Sequence, residues 1–153
     1  MSETDLPAAP LARATTRRRD LGEAMTDLER VVAGPSSADG WLDRVGISMA
    51  RLRDALDGHI DEVEGPGGLL AEIVDLAPRL IPNTEDLRHE HVALLGAWLR
   101  TEATVRTAAG NLPEAVAPVR RRVTTLLGRL TMHRQAGSDL VFEAYNVDIG
   151  TLD

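Results

Sequence analysis

The chain has 153 residues, of which 43% are hydrophobic, 27% are charged and 3% are aromatic. This composition predicts one soluble globular domain with a core of Leu, Val, Ile and Ala, which suits packed helices better than a sheet. The formal net charge of −7 argues against nucleic acid or an anionic membrane as a partner. The absence of cysteine excludes disulfides, thiolate metal sites and thiol catalysis.

The sequence also predicts a cytoplasmic protein. No apolar run approaches the length of about 20 residues that a membrane-spanning helix requires. The opening stretch, MSETDLPAAP, is acidic and lacks the basic and apolar regions of a secretory signal.

Glycine and proline residues divide the chain into predicted helices. We expect a flexible segment over residues 1–10 and a single domain over residues 11–153. In chain order, the helices are predicted at residues 11–33, 39–64, 69–76, 83–109 and 113–145. Short connections between long helices favour an all-α, antiparallel up-down four-helix bundle, with the extra short helix between the second and third long helices.

Three histidines lie on the predicted apolar seams of these helices. Core positions in a bundle recur with alternating steps of four and three residues, and this pattern includes His59, His91 and His133 on the second, third and fourth long helices. His89 lies two residues from His91, so it points about 200° away around the helix and faces outward with Glu90. A rise of about 1.5 Å per residue places the three seam histidines at compatible levels. They are therefore expected to converge in one layer.

Two interpretations of this layer remain open. Burying three imidazoles together costs free energy unless their nitrogens find partners, and neutral imidazole is a good ligand for Fe, Zn, Cu and Ni. The alternative is a degenerate, metal-free bundle in which the histidines make structural hydrogen bonds and the protein serves as an interaction or regulatory module. No arrangement of nucleophile, base and orienting group is evident, so enzyme activity is not expected. Three-histidine transferase sites usually have two histidines four residues apart, which this chain lacks.

Three stretches carry a resemblance to a known family. The segments HIDEVEGPGGLLAEI, LRHEHVALL and HRQAGSDLVFEAYNVDIG resemble the hemerythrin-like (HHE cation-binding) bundles over about residues 40–150. This resemblance implies an antiparallel four-helix bundle with a non-haem, carboxylate-bridged di-iron centre. It also implies a protein that binds oxygen or nitric oxide, or that senses iron or redox state. By this likeness, His59, His91 and His133 match the family's inward histidines.

The chain departs from the family pattern in ways that matter for the metal. The first predicted helix has no histidine, and its seam extends backwards to Arg17 or Arg18. Val63 stands where the family has a carboxylate on the second helix, and Ser138 stands at the acidic position of the fourth. A complete di-iron centre is therefore not expected.

The remaining ligand set predicts a reduced metal site. It comprises His59, Glu62, His91 and His133, because Glu62 is the only acid expected to share the face of His59, whereas Glu64 is expected to point elsewhere. Three histidines and one carboxylate could hold one ion with an open position. We expect non-haem iron, in a mononuclear or degenerate di-iron site, with a diatomic gas as a further ligand. The sequence does not identify a protein partner.

Side chains near the end of the last helix are expected to have a packing role. Glu143, Tyr145 and Asp148 lie at least about 15 Å beyond the nearest seam histidine by helical rise, so they are not expected to bind the metal. Phe142 and Tyr145 are expected to close the bundle end over the turn at residues 65–68.

Overall fold

The computed structural model describes residues 9–147, and every regular element in this part of the chain is helical. The elements are α1 (Pro10–Ala33), α2 (Trp41–Glu64), α3 (Leu69–Leu76), a 3-10 turn (Pro78–Leu80), α4 (Ile81–Thr107), α5 (Val116–Phe142) and a π-helical turn (Glu143–Val147). Among the four long helices, α1 packs on α2, α2 on α4, α4 on α5 and α5 on α1. This arrangement is compatible with a helical bundle. Asp148 and the predicted flexible segment up to residue 8 lie outside the described residues.

The start of α2 differs from the prediction. The helix is predicted to begin at residue 39, but it begins at Trp41 and its N-cap is Gly40, which has a φ of 75°. Glycine adopts this left-handed conformation without steric cost, so the chain can turn sharply into α2. The turn between α2 and α3 also requires glycine, since a Cβ on Gly68 would lie 2.4 Å from the backbone oxygen of Glu62.

The starts of α4 and α5 also differ from the prediction. Helix α4 begins at Ile81 rather than at residue 83, because Pro82 falls in the first turn, where its missing N–H is not needed. Helix α5 begins at Val116, three residues after Pro113, whose backbone oxygen accepts a hydrogen bond from the Val116 N–H in the preceding turn.

The predicted seams form the core. On α1, the buried side chains include Leu21, Met25, Leu28 and Val32. The seams of α2, α4 and α5 are likewise buried along their length, apart from partial exposure at His59, Trp98 and Gly137. The period of the apolar residues therefore identified the inward face of each long helix correctly.

The core consists of two apolar clusters, separated by the histidines. We call the first the tryptophan-side cluster, which includes Leu56, Leu94 and Leu130, and the second the cavity-side cluster, which includes Val63, Leu87 and Leu140. On each of α2, α4 and α5, the seam histidine lies between the two clusters in sequence. His59, His91 and His133 thus form a polar layer across the bundle, here called the histidine layer.

Both tryptophans belong to the tryptophan-side cluster and tie neighbouring helices together. The Trp41 Nε1–H donates to the Val31 oxygen at 3.0 Å, which joins α2 to α1. The Trp98 Nε1–H donates to the Met49 oxygen at 2.9 Å, which joins α4 to α2. Each indole N–H thereby has a hydrogen-bond partner, with Trp41 buried in the core and the partly exposed Trp98 packed against it.

The C-terminal end of the described chain contacts α3 and the 3-10 turn. The Tyr145 hydroxyl donates to the carboxylate of Glu72, and Arg79 Nη1 lies 2.9 Å from Glu143 Oε1. The expectation that Phe142 closes the bundle end is wrong in part, because this side chain is 61% exposed. No helix among the described residues combines the length and apolar character needed to cross a membrane.

Candidate metal centre

The three seam histidines meet in the middle of the bundle. His91 Nε2 lies 3.0 Å from His133 Nε2, and His133 Nε2 lies 3.4 Å from His59 Nε2. The ring centroids are 4.7 to 5.5 Å apart, and the rings are tilted steeply against one another. One nitrogen from each ring lies within 4.8 Å of the other two. The predicted convergence of these side chains is confirmed.

A carboxylate on α2 orients His91. His91 Nδ1 lies 3.1 Å from Glu64 Oε2, and Glu64 Oε1 also accepts a hydrogen bond from Arg88 Nη1 at 3.3 Å. An ionised carboxylate can only accept, so the His91 Nδ1 must carry the proton. The expectation that Glu64 points away from the site is therefore wrong.

A second carboxylate, on α4, faces His133. Glu90 Oε1 lies 3.0 Å from His133 Nδ1, although this contact lacks the alignment of a hydrogen bond. At this distance the negative charge still favours a proton on Nδ1. Glu90 was expected to face outward with His89. His89 is indeed exposed, but the side chain of Glu90 is only 34% exposed and borders the layer.

With these two carboxylates in place, the contact between the His91 and His133 rings is unfavourable. A neutral imidazole has one N–H, so Nδ1 protonation leaves a bare lone pair on the Nε2 of both His91 and His133. The two Nε2 atoms then face each other at 3.0 Å with no proton between them. Moving the His133 proton to Nε2 would relieve this contact but would place the Nδ1 lone pair against Glu90. Either tautomer leaves one repulsive contact, which a cation among the Nε2 atoms would remove.

Burial keeps all three rings neutral. It is the largest cause that lowers the pKa of His59 from 6.5 to about 3, with smaller contributions from the other two imidazoles and nearby guanidinium groups. Burial, and then His133, lowers the pKa of His91 to about 3. Burial also lowers the pKa of His133, and Glu90 opposes this effect. Neutral imidazole is the form that binds metal ions.

The spacing of the rings fits the coordination sphere of one ion. With metal–nitrogen bonds of about 2.1 Å, two ligand nitrogens are separated by about 3.0 Å at a right angle and about 3.4 Å at a tetrahedral angle. Two of the three nitrogen separations, at 3.0 and 3.4 Å, span the same interval, and the third, between His59 and His91, is within 4.8 Å. In metal-binding histidines, the ring nitrogen that does not bind the metal usually donates its N–H to a carboxylate, a carbonyl or a water, and Glu64 and Glu90 face the Nδ1 atoms here. The residues therefore fit a transition-metal ion.

The fourth predicted ligand, Glu62, is placed elsewhere. Its Oε1 lies 2.8 Å from Arg13 Nε on α1, and it does not belong to the group of convergent ligand atoms found among residues 9–147. Each residue turns a helix by about 100°, so Glu62 and Glu64 lie on opposite sides of the α2 seam. Glu62 leans towards α1 and Glu64 towards α4. The structure thus brings together the three predicted histidines but not Glu62.

The first helix contributes arginine rather than histidine at this level. Arg17 and Arg18 are both exposed, and Arg17 Nη1 lies 4.0 Å from Asp20 Oδ2. Arg18 lines a cavity beside the histidines and contributes to the lowered pKa of His59. An arginine thus lies near the site, as the seam predicted, but without entering the buried core.

A cavity of about 260 Å³ adjoins the histidine layer, and all three histidines line it. Its remaining wall is mostly apolar and comes largely from the cavity-side cluster, for example from Val63, Ile73, Leu87 and Leu140. Three protein ligands leave a metal ion with open coordination positions. The layer therefore combines a ligand set with a sheltered space next to it.

Sequence reasoning missed Glu64 and Glu90 because both lie at the border of a seam. The sequence does show that Glu64 follows His59 on the second long helix and that Glu90 precedes His91 on the third. Which histidine each carboxylate faces depends on the order of the helices around the bundle, which the sequence does not give. Comparison with known proteins adds no further residue: no protein-family model, curated protein or solved structure matches the chain.

Proposed function

We propose that this protein binds one divalent first-row transition-metal ion through His59, His91 and His133. The observation that carries the proposal is the convergence of three Nε2 atoms, with separations of 3.0 and 3.4 Å, while carboxylates face the Nδ1 atoms of two of the rings. The hemerythrin-like resemblance supports the same assignment, together with an antiparallel bundle, and it makes non-haem iron the ion we propose first.

Each part of the site would have a distinct role. The three imidazoles would hold the ion, and Glu64 and Glu90 would fix the ring orientations and offset its charge. The apolar wall of the cavity would limit access of water to the open positions. An ion held there supplies a Lewis acid or a binding position for a small ligand. The resemblance makes oxygen or nitric oxide the small ligand to examine, with binding or sensing as the outcome.

Elemental analysis tests the proposal. Protein purified from iron-supplemented cells, and protein reconstituted anaerobically with Fe²⁺, Zn²⁺ or Co²⁺, is expected to contain one ion per chain. His59→Ala, His91→Ala and His133→Ala should each lose most of this metal. His89→Ala is the matched control, because His89 is exposed and lies on the same helix as His91. Less than one-tenth of an equivalent in every wild-type sample would refute the proposal.

Thermal unfolding separates this function from the metal-free alternative. An ion that binds only the folded chain stabilises it in proportion to the logarithm of its excess over Kd, so a chelator should lower the Tm by several degrees. A structural bundle with hydrogen-bonded histidines would show the same Tm with metal and with chelator. The tautomer conflict between His91 and His133 favours the metal-binding interpretation.

A further inference from the structure

The cavity beside the histidine layer has two arginines in its wall. Arg18 of α1 and Arg134 of α5 both line it, while the rest of the wall is dominated by aliphatic side chains. Arg18 and Thr15 are exposed, so the cavity reaches the surface beside α1. The Arg18 guanidinium group is therefore accessible from solvent, whereas Val63, Ile73 and Leu140 form a buried aliphatic part of the wall. Phe142 and Asn146, also in the wall, are exposed as well.

These two arginines have no counter-charge among the residues that the structure describes. No carboxylate in residues 9–147 lies within ion-pair distance of either one, and the Arg134 Nε is buried without a hydrogen-bond partner. Arg134 also borders a surface pocket that Glu23 and Asp27 line, but neither acid is within ion-pair distance of it. Two guanidinium groups that line one cavity without a paired acid favour a bound anion.

A glycine keeps part of the cavity open. Gly137 lines the cavity from within α5, and a Cβ added there would meet no atom within 4 Å. Glycine inside a helix is destabilising relative to alanine, and here no close packing requires it. The vacant space at this position is consistent with a ligand that occupies it.

We propose that the cavity binds an aliphatic monocarboxylate, with the carboxylate on Arg18 and Arg134 and the hydrocarbon chain against the apolar wall. A cavity of about 150 Å³ holds benzene, so roughly ten non-hydrogen atoms fit in the present volume. A single negative charge suits the site better than a phosphate dianion, because the apolar surroundings penalise a second charge. This inference does not require the metal ion, so it can fail while the proposed function holds.

Calorimetric titration with octanoate, which has the proposed size, tests the inference on metal-free and metal-loaded protein. Saturable binding of one octanoate per chain is expected in both forms. The neutral analogue 1-octanol, and acetate without the hydrocarbon chain, should bind at least about tenfold more weakly. Absence of saturable octanoate binding would overturn the proposal. Equal affinity for 1-octanol, or tighter binding of octyl phosphate, would overturn the assignment of the carboxylate.

Matched variants locate the bound carboxylate and chain. Arg18→Gln and Arg134→Gln should each weaken octanoate binding about tenfold, whereas Arg129→Gln, at an exposed position of α5, should not. Arg18 is itself exposed, so its replacement tests the site even if the Arg134 variant does not fold. Gly137→Leu should abolish binding by filling the cavity. Gly128→Leu, also in α5 and also with nothing within 4 Å of an added Cβ, should retain it. Unchanged binding in Gly137→Leu would overturn the proposal.

Discussion

Two carboxylates determine which nitrogen each of two histidines presents to the centre of the bundle. Glu64 reaches across from α2 to His91 on α4, and Glu90 reaches from α4 to His133 on α5. Each contact joins neighbouring helices and directs a ring Nδ1 outward. The Nε2 lone pairs consequently point at one another. Orientation by these acids, rather than the presence of the histidines alone, makes the layer suitable for a metal ion.

Replacing one of these acids tests their role. Glu64→Gln should weaken metal binding by about 10- to 100-fold, because a neutral amide orients the His91 ring less well and offsets less of the ion's charge. Competition titration with a chromogenic chelator measures this affinity. Glu62→Gln is the control, since Glu62 lies on the same helix but pairs with Arg13. Equal losses in the two variants would contradict the assignment.

At this scale, the sequence predicted the histidines but not their carboxylates. The apolar period shows which side of a helix faces the core, and His59, His91 and His133 lie on that side. Glu62 and Glu64 lie on either border of it. Which neighbouring helix each border faces depends on the order of the helices around the bundle. Periodicity within a single helix carries no information on that order, so it cannot show that Glu64 rather than Glu62 faces the histidines.

Helix positions were more predictable than helix starts. Glycine and proline separate the long helices, and the ends of α1 and α2 fall at Ala33 and Glu64 as expected. The second and third long helices begin at Trp41 and Ile81 rather than at residues 39 and 83, because Gly40 and Pro82 offer backbone conformations that suit these starts. A local sequence shows several acceptable starts, and packing of the whole element selects among them.

The contact between Tyr145 and Glu72 provides a test at the element scale. It holds the π-helical turn Glu143–Val147 against α3, beside the cavity-side cluster. Tyr145→Phe is expected to lower the free energy of unfolding by about 1 kcal/mol, less than the roughly 1.5–3 kcal/mol of a buried hydrogen bond to a charged group, because the site is partly exposed. Urea denaturation measures the change. Because the two side chains interact, Glu72→Gln combined with Tyr145→Phe should cost less than the two single changes added together, whereas strict additivity would contradict the contact.

Across the whole molecule, the histidine layer interrupts an otherwise apolar core. Leu, Val and Ile side chains pack on both sides of it in two clusters. Three neutral imidazoles are tolerated there because the folded chain keeps their pKa values low, at about 3 for His59 and His91. The unfolded chain has no such constraint, so its histidines take up protons at their ordinary pKa.

This difference predicts that acid destabilises the metal-free protein. The folded pKa values of His59 and His91 lie below the unfolded value of 6.5, so their contribution to stability is complete above that pH and is lost as the pH falls towards about 3. The Tm should therefore drop between about pH 7 and about pH 5. A triple His→Gln variant of the histidine layer should show a smaller drop, and His89→Gln should behave as wild type. A constant Tm in the wild type would contradict this expectation.

The distribution of aromatic residues gives each half of the core its own optical reporter. Both tryptophans lie in or against the tryptophan-side cluster, whereas Tyr145, the single tyrosine of the chain, packs against the cavity-side cluster. Indole emission therefore follows the melting of one half of the bundle, and the phenol absorbance follows the other. Coincident unfolding curves from these two chromophores would mean that the two halves of the core unfold together, as one cooperative unit. Separate curves would mean that the bundle comes apart at its histidines.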